Sequence, residues 1–240
     1  MAPGEVVLAD APRPDAVPFA RMAEFLRLLA HDVRNDLNAV DLLTAYIRDI
    51  AAEPGVRGEL DQLRTAIRYG SERMQRLSRA FQTPEPEKFF IPVSVLTGDF
   101  QERFRNANRE VFARVHWADT AVVESLCVDV DLMMEVFSEL LENAAAFSRP
   151  DSDLFFGVRK MDGGVVFVVG QPAEEVFTDC ESWGKRPFVT SRRGHYGLGL
   201  FRVRRLLEAH GAQLRFVPSR THRALEARVE FIATGGGDEA

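Results

Sequence analysis

A long amphipathic pattern near the start of the chain limits its fold more than any other feature. From about Phe19 to Ala52, apolar residues recur every three or four positions, which is the period of an α-helix. These residues are Met22, Leu26, Leu29, Val33, Leu37, Val40, Leu43, Ile47 and Ile50. The turn-forming segment 53–56, EPGV, then ends the pattern. A helix of this length with an apolar stripe must pack against other helices.

The next segment has a stricter repeat, in which the spacing of apolar residues alternates between three and four. The residues are Leu60, Leu63, Ile67, Gly70, Met74, Leu77 and Phe81. Two long helices joined by a short turn predict an antiparallel hairpin. A lone hairpin cannot bury both stripes, so we expect a homodimer in which two copies form a four-helix bundle.

A Pro- and Glu-rich segment over residues 82–92 separates this hairpin from a region of mixed helices and strands. We expect an α+β protein in which the second region is an α/β sandwich, with helices on one face of a mixed sheet. The predicted organisation is a flexible leader at 1–18, the hairpin at 19–82, a linker at 83–92, the α/β domain at 93–235 and a tail at 236–240.

Charge and composition exclude several classes of protein. The net charge of −6 argues against nucleic-acid binding. No stretch approaches the roughly 18 apolar residues of a membrane span, and the amino terminus has no secretory signal. The two cysteines lie far apart without metal-ligand spacing. We expect a cytoplasmic protein.

Three segments contain residues suited to chemistry. On the first helix, His31 lies opposite the apolar stripe and has Asp32 beside it, a carboxylate that can orient the ring and take its proton. An ordinary surface histidine is the alternative.

The other two segments lie in the second region. Glu139 and Asn143 are one helical turn apart and suit a hydrated magnesium ion; an internally satisfied amide beside a surface Glu is the alternative. At a predicted helix entry, Gly197 and Gly199 would admit phosphate, with Arg192 and Arg193 before them as clamps, unless the segment is a simple turn.

In this order, the segments resemble the motifs of bacterial two-component sensor histidine kinases, whose second domain has the GHKL ATPase fold. HDVRNDL resembles the H box, ELLENAAAFS the N box, and PFVTSRRGHYGLGL the F and G2 boxes. The resemblance implies that His31 is phosphorylated, Asn143 binds magnesium, Glu139 is a general base, and Gly197 and Gly199 belong to the hinge of a phosphate-facing lid. It also implies ATP and Mg²⁺ as cofactors and a response-regulator receiver domain as partner.

The chain departs from this family after the strand VVFVV. The family has a DxGxG motif there, whose aspartate bonds the adenine amino group, whereas this chain has Gly170, Gln171 and Pro172. Loss of a charge-assisted hydrogen bond costs about 1.5–3 kcal/mol, or roughly ten- to more than a hundredfold in affinity. We therefore predict weak or absent ATP binding; partial replacement of the aspartate by Gln171, Glu174 or Glu175 is the alternative.

Three functions remain open. The lost motif favours a phosphotransfer protein that exchanges phosphate between His31 and a receiver aspartate. The N and G2 boxes favour an ATP-dependent autokinase. A non-catalytic dimeric adaptor is the third, although Asp32 argues against it, and anti-sigma-factor kinases fit less well because they lack such a hairpin. Asp32 and Asn35 also resemble the acid–amide pair that orients water to dephosphorylate a regulator, unless Asn35 only solvates the helix.

Overall fold

The computed structural model describes residues 19–51, 53–118, 122–173, 180–190, 196–219 and 224–232. The predicted leader and the predicted tail lie outside these residues. The chain divides into two units after Gln82, and each unit is described by itself.

The first unit is an antiparallel helical hairpin, as predicted. Helix α1 spans Phe19–Ile50 and α2 spans Pro54–Phe81. Pro54 is suited to the first position of α2, because a backbone N–H at that position would have no partner within the helix and proline has none. The rings of Phe19 and Phe81 lie 6.0 Å apart at the open end, and Arg48 Nε lies 2.9 Å from Asp61 Oδ1 near the turn.

The apolar surface of α1 is wider than α2 can cover. Leu26, Val33 and Leu37 are half-buried within the hairpin, and a Cβ added to Gly70 would lie 3.2 Å from Leu37 Cδ1, so the helices approach closely there. Other members of the predicted stripe remain exposed, namely Met22, Leu29, Val40, Leu43, Ile47 and Ile50. The stripe thus divides into a face toward α2 and an exposed face.

The second unit contains a five-stranded sheet with the strand order β2-β4-β5-β7-β6. Strands β2 and β4 are parallel, and the other neighbours are antiparallel. The strands are β2 Val115–Trp117, β4 Leu154–Met161, β5 Gly164–Pro172, β6 Gln213–Ser219 and β7 Ala224–Ile232. A separate antiparallel pair joins β1 Phe89–Pro92 to β3 Ser125–Val128.

Helices cover one face of this sheet, which confirms the predicted α/β layering. They are α3 Val93–Ala107, α4 Arg109–Ala113, α5 Val130–Phe147 and α6 Gly199–His210. Phe137 of α5 is fully buried and its ring packs 4.8 Å from that of Phe167 on β5. Gly211 ends α6 in the left-handed conformation, with φ 73°, which glycine adopts more readily than other residues.

The predicted linker needs correction at its carboxyl end. Residues Phe89–Pro92 are not a connection, because they form β1 and pair with β3. This pairing is non-local and leaves no periodic signal in so short a segment. Helix α3 follows β1 directly and begins at Val93. Among the described residues, no helix has the length and apolar character needed to cross a membrane.

Candidate functional site

His31 lies in the middle of α1 on an exposed face. Its side chain is 57% exposed, and that of Asp32 is 77% exposed. Successive helical residues are about 100° apart, which places His31 opposite Leu29 and Val33, as expected from the sequence. A partner could therefore reach the ring without disturbing the contacts of α1 with α2.

Both neighbours predicted for His31 contact the same ring nitrogen. Its Nδ1 lies 3.3 Å from Asp32 Oδ1 and 3.3 Å from Asn35 Nδ2. Within the described part of the chain, Nε2 has no hydrogen-bond partner. The arrangement leaves Nε2 as the outward nitrogen, while Asp32 can accept a proton at Nδ1.

A polar cleft of about 340 Å³ lies between the two helices on the carboxyl-terminal side of His31. Arg64 of α2 makes a two-point contact with Asp41 of α1, with Nε 2.9 Å from Oδ1 and Nη2 3.3 Å from Oδ2. The hydrogen bonds from Arg64 hold the pKa of Asp41 below its ordinary value. The lining residues are Arg34, Asn38, Asp41, Ile67, Arg68, Ser71, Glu72 and Gln75.

The sequence analysis did not identify this cleft. It is formed by side chains from two helices whose register cannot be derived from either one alone. The only available signal was the set of polar residues on α2 that share a side of the helix with Ile67.

In the second unit, Glu139 and Asn143 meet as the sequence predicts. They are one turn apart on α5, both half-buried, and Asn143 Nδ2 donates to Glu139 Oε1 at 2.9 Å. The amide nitrogen is thus turned to Glu139, which directs the amide oxygen away from it. A carboxylate and an amide oxygen are ligands that Mg²⁺ accepts in proteins.

The amino terminus of α6 packs directly against Glu139. A Cβ added to Gly199 would overlap the Glu139 carboxylate, so a larger residue there would displace this side chain from its present position. Gly197 has φ 64° and approaches the backbone of Val189, where an added Cβ would lie 2.5 Å from the carbonyl oxygen. Gly197 is therefore required by its backbone, whereas Gly199 sets where the Glu139 carboxylate lies. Arg192 and Arg193 lie outside the described residues.

Two contacts that the sequence analysis missed connect α5 to α6. Arg202 is buried and its Nε lies 3.2 Å from Glu135 Oε1, one turn before Glu139. The His210 ring accepts from the Asp129 backbone N–H at Nε2, 3.1 Å, and donates from Nδ1 to the Leu206 carbonyl, 2.7 Å. Burial lowers the pKa of His210, so the neutral ring is favoured.

The position expected for adenine recognition is occupied by a regular strand. β5 continues through Gly170, Gln171 and Pro172, which pair with Glu226, Leu225 and Ala224 of β7. The described residues 164–173 contain no carboxylate. Glu174 and Glu175, which the sequence analysis raised as substitutes, lie outside the described residues.

The site therefore fits only one end of a metal–nucleotide complex. Glu139 and Asn143 provide a suitable donor set for a hydrated magnesium ion, whereas the described end of β5 offers no acidic acceptor to the adenine amino group. We derive no catalytic step through ATP from these residues. The described residues also contain no group of three or more His, Cys, Asp and Glu side chains that could hold a metal ion.

Comparison with solved structures identifies the fold. Full-length ShkA in complex with AMPPNP matches 88% of this chain with a TM-score of 0.70 and 19% identity, and the match covers 46% of ShkA. The Acinetobacter baumannii histidine kinase AdeS matches 83% of the chain and 94% of its own, with a TM-score of 0.53 and 13% identity. The chain has the fold of a histidine kinase core.

A third solved structure matches a smaller share of the chain. The catalytic domain of histidine kinase ThkA matches 61% of the chain and 96% of its own, with a TM-score of 0.51 and 16% identity. The chain spans less than half the length of ShkA. No family model and no curated protein matches the sequence.

Proposed function

We propose that this chain carries a phosphoryl group on His31 and exchanges it with an aspartate of a response-regulator receiver domain, in the cytoplasm. The observation that supports this most directly is the exposed ring of His31 with Asp32 at its Nδ1, on the first helix of a kinase-core fold. A histidine whose role was only to pack within the hairpin would lie on the face of α1 that contacts α2.

The transfer uses the two ring nitrogens of His31 differently. The Nε2 lone pair attacks the phosphorus of the receiver's aspartyl phosphate, the bond from phosphorus to the carboxylate oxygen breaks, and the receiver's aspartate leaves with the electron pair. The ring becomes positive as the new bond forms, and Asp32 stabilises this charge or takes the Nδ1 proton. The reverse reaction returns phosphate to the receiver. Phosphoryl transfer depends mainly on positioning, so this step needs no ATP site.

An ATP-dependent autokinase is the second candidate. The Glu139–Asn143 pair against Gly199 supports it, because this donor set suits the metal of a bound nucleotide. The regular strand at Gly170–Pro172 opposes it, because residues 164–173 provide no carboxylate for the adenine amino group. For this reason we favour the phosphotransfer protein over the autokinase. The third candidate, a non-catalytic dimeric adaptor, gives no chemical role to the contact between Asp32 and His31.

The test uses the full chain without ATP. It is incubated with a panel of receiver domains already phosphorylated by a small-molecule phosphate donor, and acid-labile phosphate on the chain is measured. We expect at least one receiver to label the wild type and His31→Gln to abolish labelling. His116→Gln removes an exposed histidine of the second unit and is the matched control. Labelling that persists in His31→Gln, or no labelling by any receiver, contradicts the proposal.

A further inference from the structure

Two side chains compete for one nitrogen of His31. Asp32 Oδ1 can only accept a hydrogen bond, so its contact with Nδ1 requires a proton on Nδ1. Asn35 Nδ2 can only donate, so its contact requires a lone pair on Nδ1. A neutral imidazole carries one proton on one of its two nitrogens. The two contacts therefore belong to different tautomers.

We propose that Asn35 is a positioning residue that holds His31 in the tautomer that cannot attack phosphorus, in opposition to Asp32. When Nδ1 accepts from Asn35, the proton is on Nε2 and the outward nitrogen has no lone pair. When Nδ1 donates to Asp32, Nε2 is the nucleophile. This inference rests on the proposed phosphotransfer function, and it assigns Asn35 a role beyond solvating the helix or orienting a water.

The exposure of the three side chains determines the size of the effect. His31 and Asp32 are 57% and 77% exposed, and Asn35 is also exposed, so water competes for both contacts. A net hydrogen bond in such a setting is at the low end of the usual range, which corresponds to about a two- to fivefold change in the tautomer ratio. Both tautomers are then populated. A docking partner that binds the Asn35 amide would shift the ring toward the tautomer with its proton on Nδ1, in which Nε2 is the nucleophile.

The orientation of the Asn35 amide makes the proposal testable. If its oxygen instead of its nitrogen faced Nδ1, Asn35 would accept from the same proton as Asp32 and would favour the nucleophilic tautomer. The two orientations predict opposite consequences of Asn35→Ala. Alanine is the best helix former, so this variant keeps α1 intact.

The tautomer ratio can be measured directly on the full chain labelled with ¹⁵N-histidine. Two-bond proton–nitrogen correlations at about pH 8.5, well above the ordinary histidine pKa of about 6.5, report which nitrogen carries the proton, and the spectrum of His31→Gln assigns the signals. We expect Asn35→Ala to raise the ratio of the Nδ1-protonated to the Nε2-protonated form by about two- to fivefold. Asp32→Ala should lower it. Asn38→Ala, the same change about two turns from His31, should leave it unchanged.

A chemical readout tests the consequence without a partner or ATP. Diethyl pyrocarbonate modifies neutral imidazole nitrogens, and peptide mass spectrometry gives the rate at His31. We expect Asn35→Ala to increase this rate and Asp32→Ala to decrease it, in each case by less than the change in the tautomer ratio, because the rate follows the fraction of the ring that is nucleophilic at Nε2. An unchanged or lowered Nδ1-protonated fraction in Asn35→Ala overturns the inference. The proposed function fails on a separate result, namely that no phosphorylated receiver labels the wild-type chain.

Discussion

His210 connects α6 to the residue that caps α5 through one neutral ring. Its Nε2 accepts from the backbone N–H of Asp129, the residue that caps α5, and its Nδ1 donates to Leu206. Asp129 Oδ2 also accepts from the backbone N–H of Glu87, in the segment before β1. Protonation of Nε2 would remove its acceptor and place a charge in a buried position. Burial is the main cause of the lowered pKa, and Lys88 adds to it.

We predict that acidification destabilises the second unit through His210. Below the ordinary pKa of about 6.5, the unfolded chain binds a proton that the folded ring does not bind, so stability rises with pH through this window and falls as pH decreases. The slope is at most about 1.4 kcal/mol per pH unit for one proton. Urea unfolding between about pH 7.5 and 5.5 measures it.

The matched variants for this prediction are His210→Gln and His31→Gln. His210→Gln should lower stability at neutral pH and flatten the pH dependence, because no titrating ring remains. His31→Gln removes an exposed histidine and should keep the slope of the wild type. An unchanged slope in His210→Gln would mean that other groups cause the acid sensitivity.

Residue-level prediction from sequence succeeded where partners are local. The exposure of His31 and its proximity to Asp32 follow from the geometry of one helix. The bond between Asp129 and His210 joins residues 81 positions apart, and Arg202 and Glu135 are 67 apart. Such contacts depend on how α5 and α6 pack, which no periodic pattern specifies.

Among the secondary-structure elements, β5 contains the segment where the family resemblance places adenine recognition. The turn residues MDGG between two strand-like runs predict the hairpin of β4 and β5, whose register is regular from Phe155↔Gly170 to Met161↔Gly164. The further pairing of β5 with β7 continues to Pro172 and could not be predicted, because β7 begins 52 residues later at Ala224. In the same way, β1 was predicted as linker because its partner β3 is remote.

We predict weak or undetectable binding of ATP with Mg²⁺ to the full chain. The regular end of β5 provides no described carboxylate for adenine, and that loss lowers affinity by about ten- to more than a hundredfold. Isothermal calorimetry measures it. Asn143→Ala should remove whatever binding remains, whereas Asn108→Ala, a helix-capping asparagine before α4, serves as the matched control. Low-micromolar binding abolished by Asn143→Ala would favour the autokinase.

For the whole molecule, the unpaired face of α1 is the feature that most requires a partner. Large apolar side chains remain exposed along the hairpin of one copy, among them Phe25, Leu29, Leu43 and Ile47. The sequence predicted that one hairpin could not bury its stripes, because two helices present more apolar surface than they can cover mutually. How a second copy packs on this face is not encoded in the spacing of apolar residues.

We predict that the full chain is a homodimer and that Leu43→Glu makes it monomeric. Leu43, 62% exposed in one copy, lies on the same side of α1 as Val40 and Ile47, the exposed part of the predicted stripe. Each dimer buries two such leucines by symmetry, at roughly 2 kcal/mol each, so their replacement by carboxylates should weaken association by more than about a hundredfold. Leu42→Glu is the matched control, because Leu42 is 73% exposed and lies about 100° around the helix, on the side of His31. Light scattering should show a dimer for the wild type and Leu42→Glu and a monomer for Leu43→Glu; a monomeric wild type would exclude the four-helix bundle.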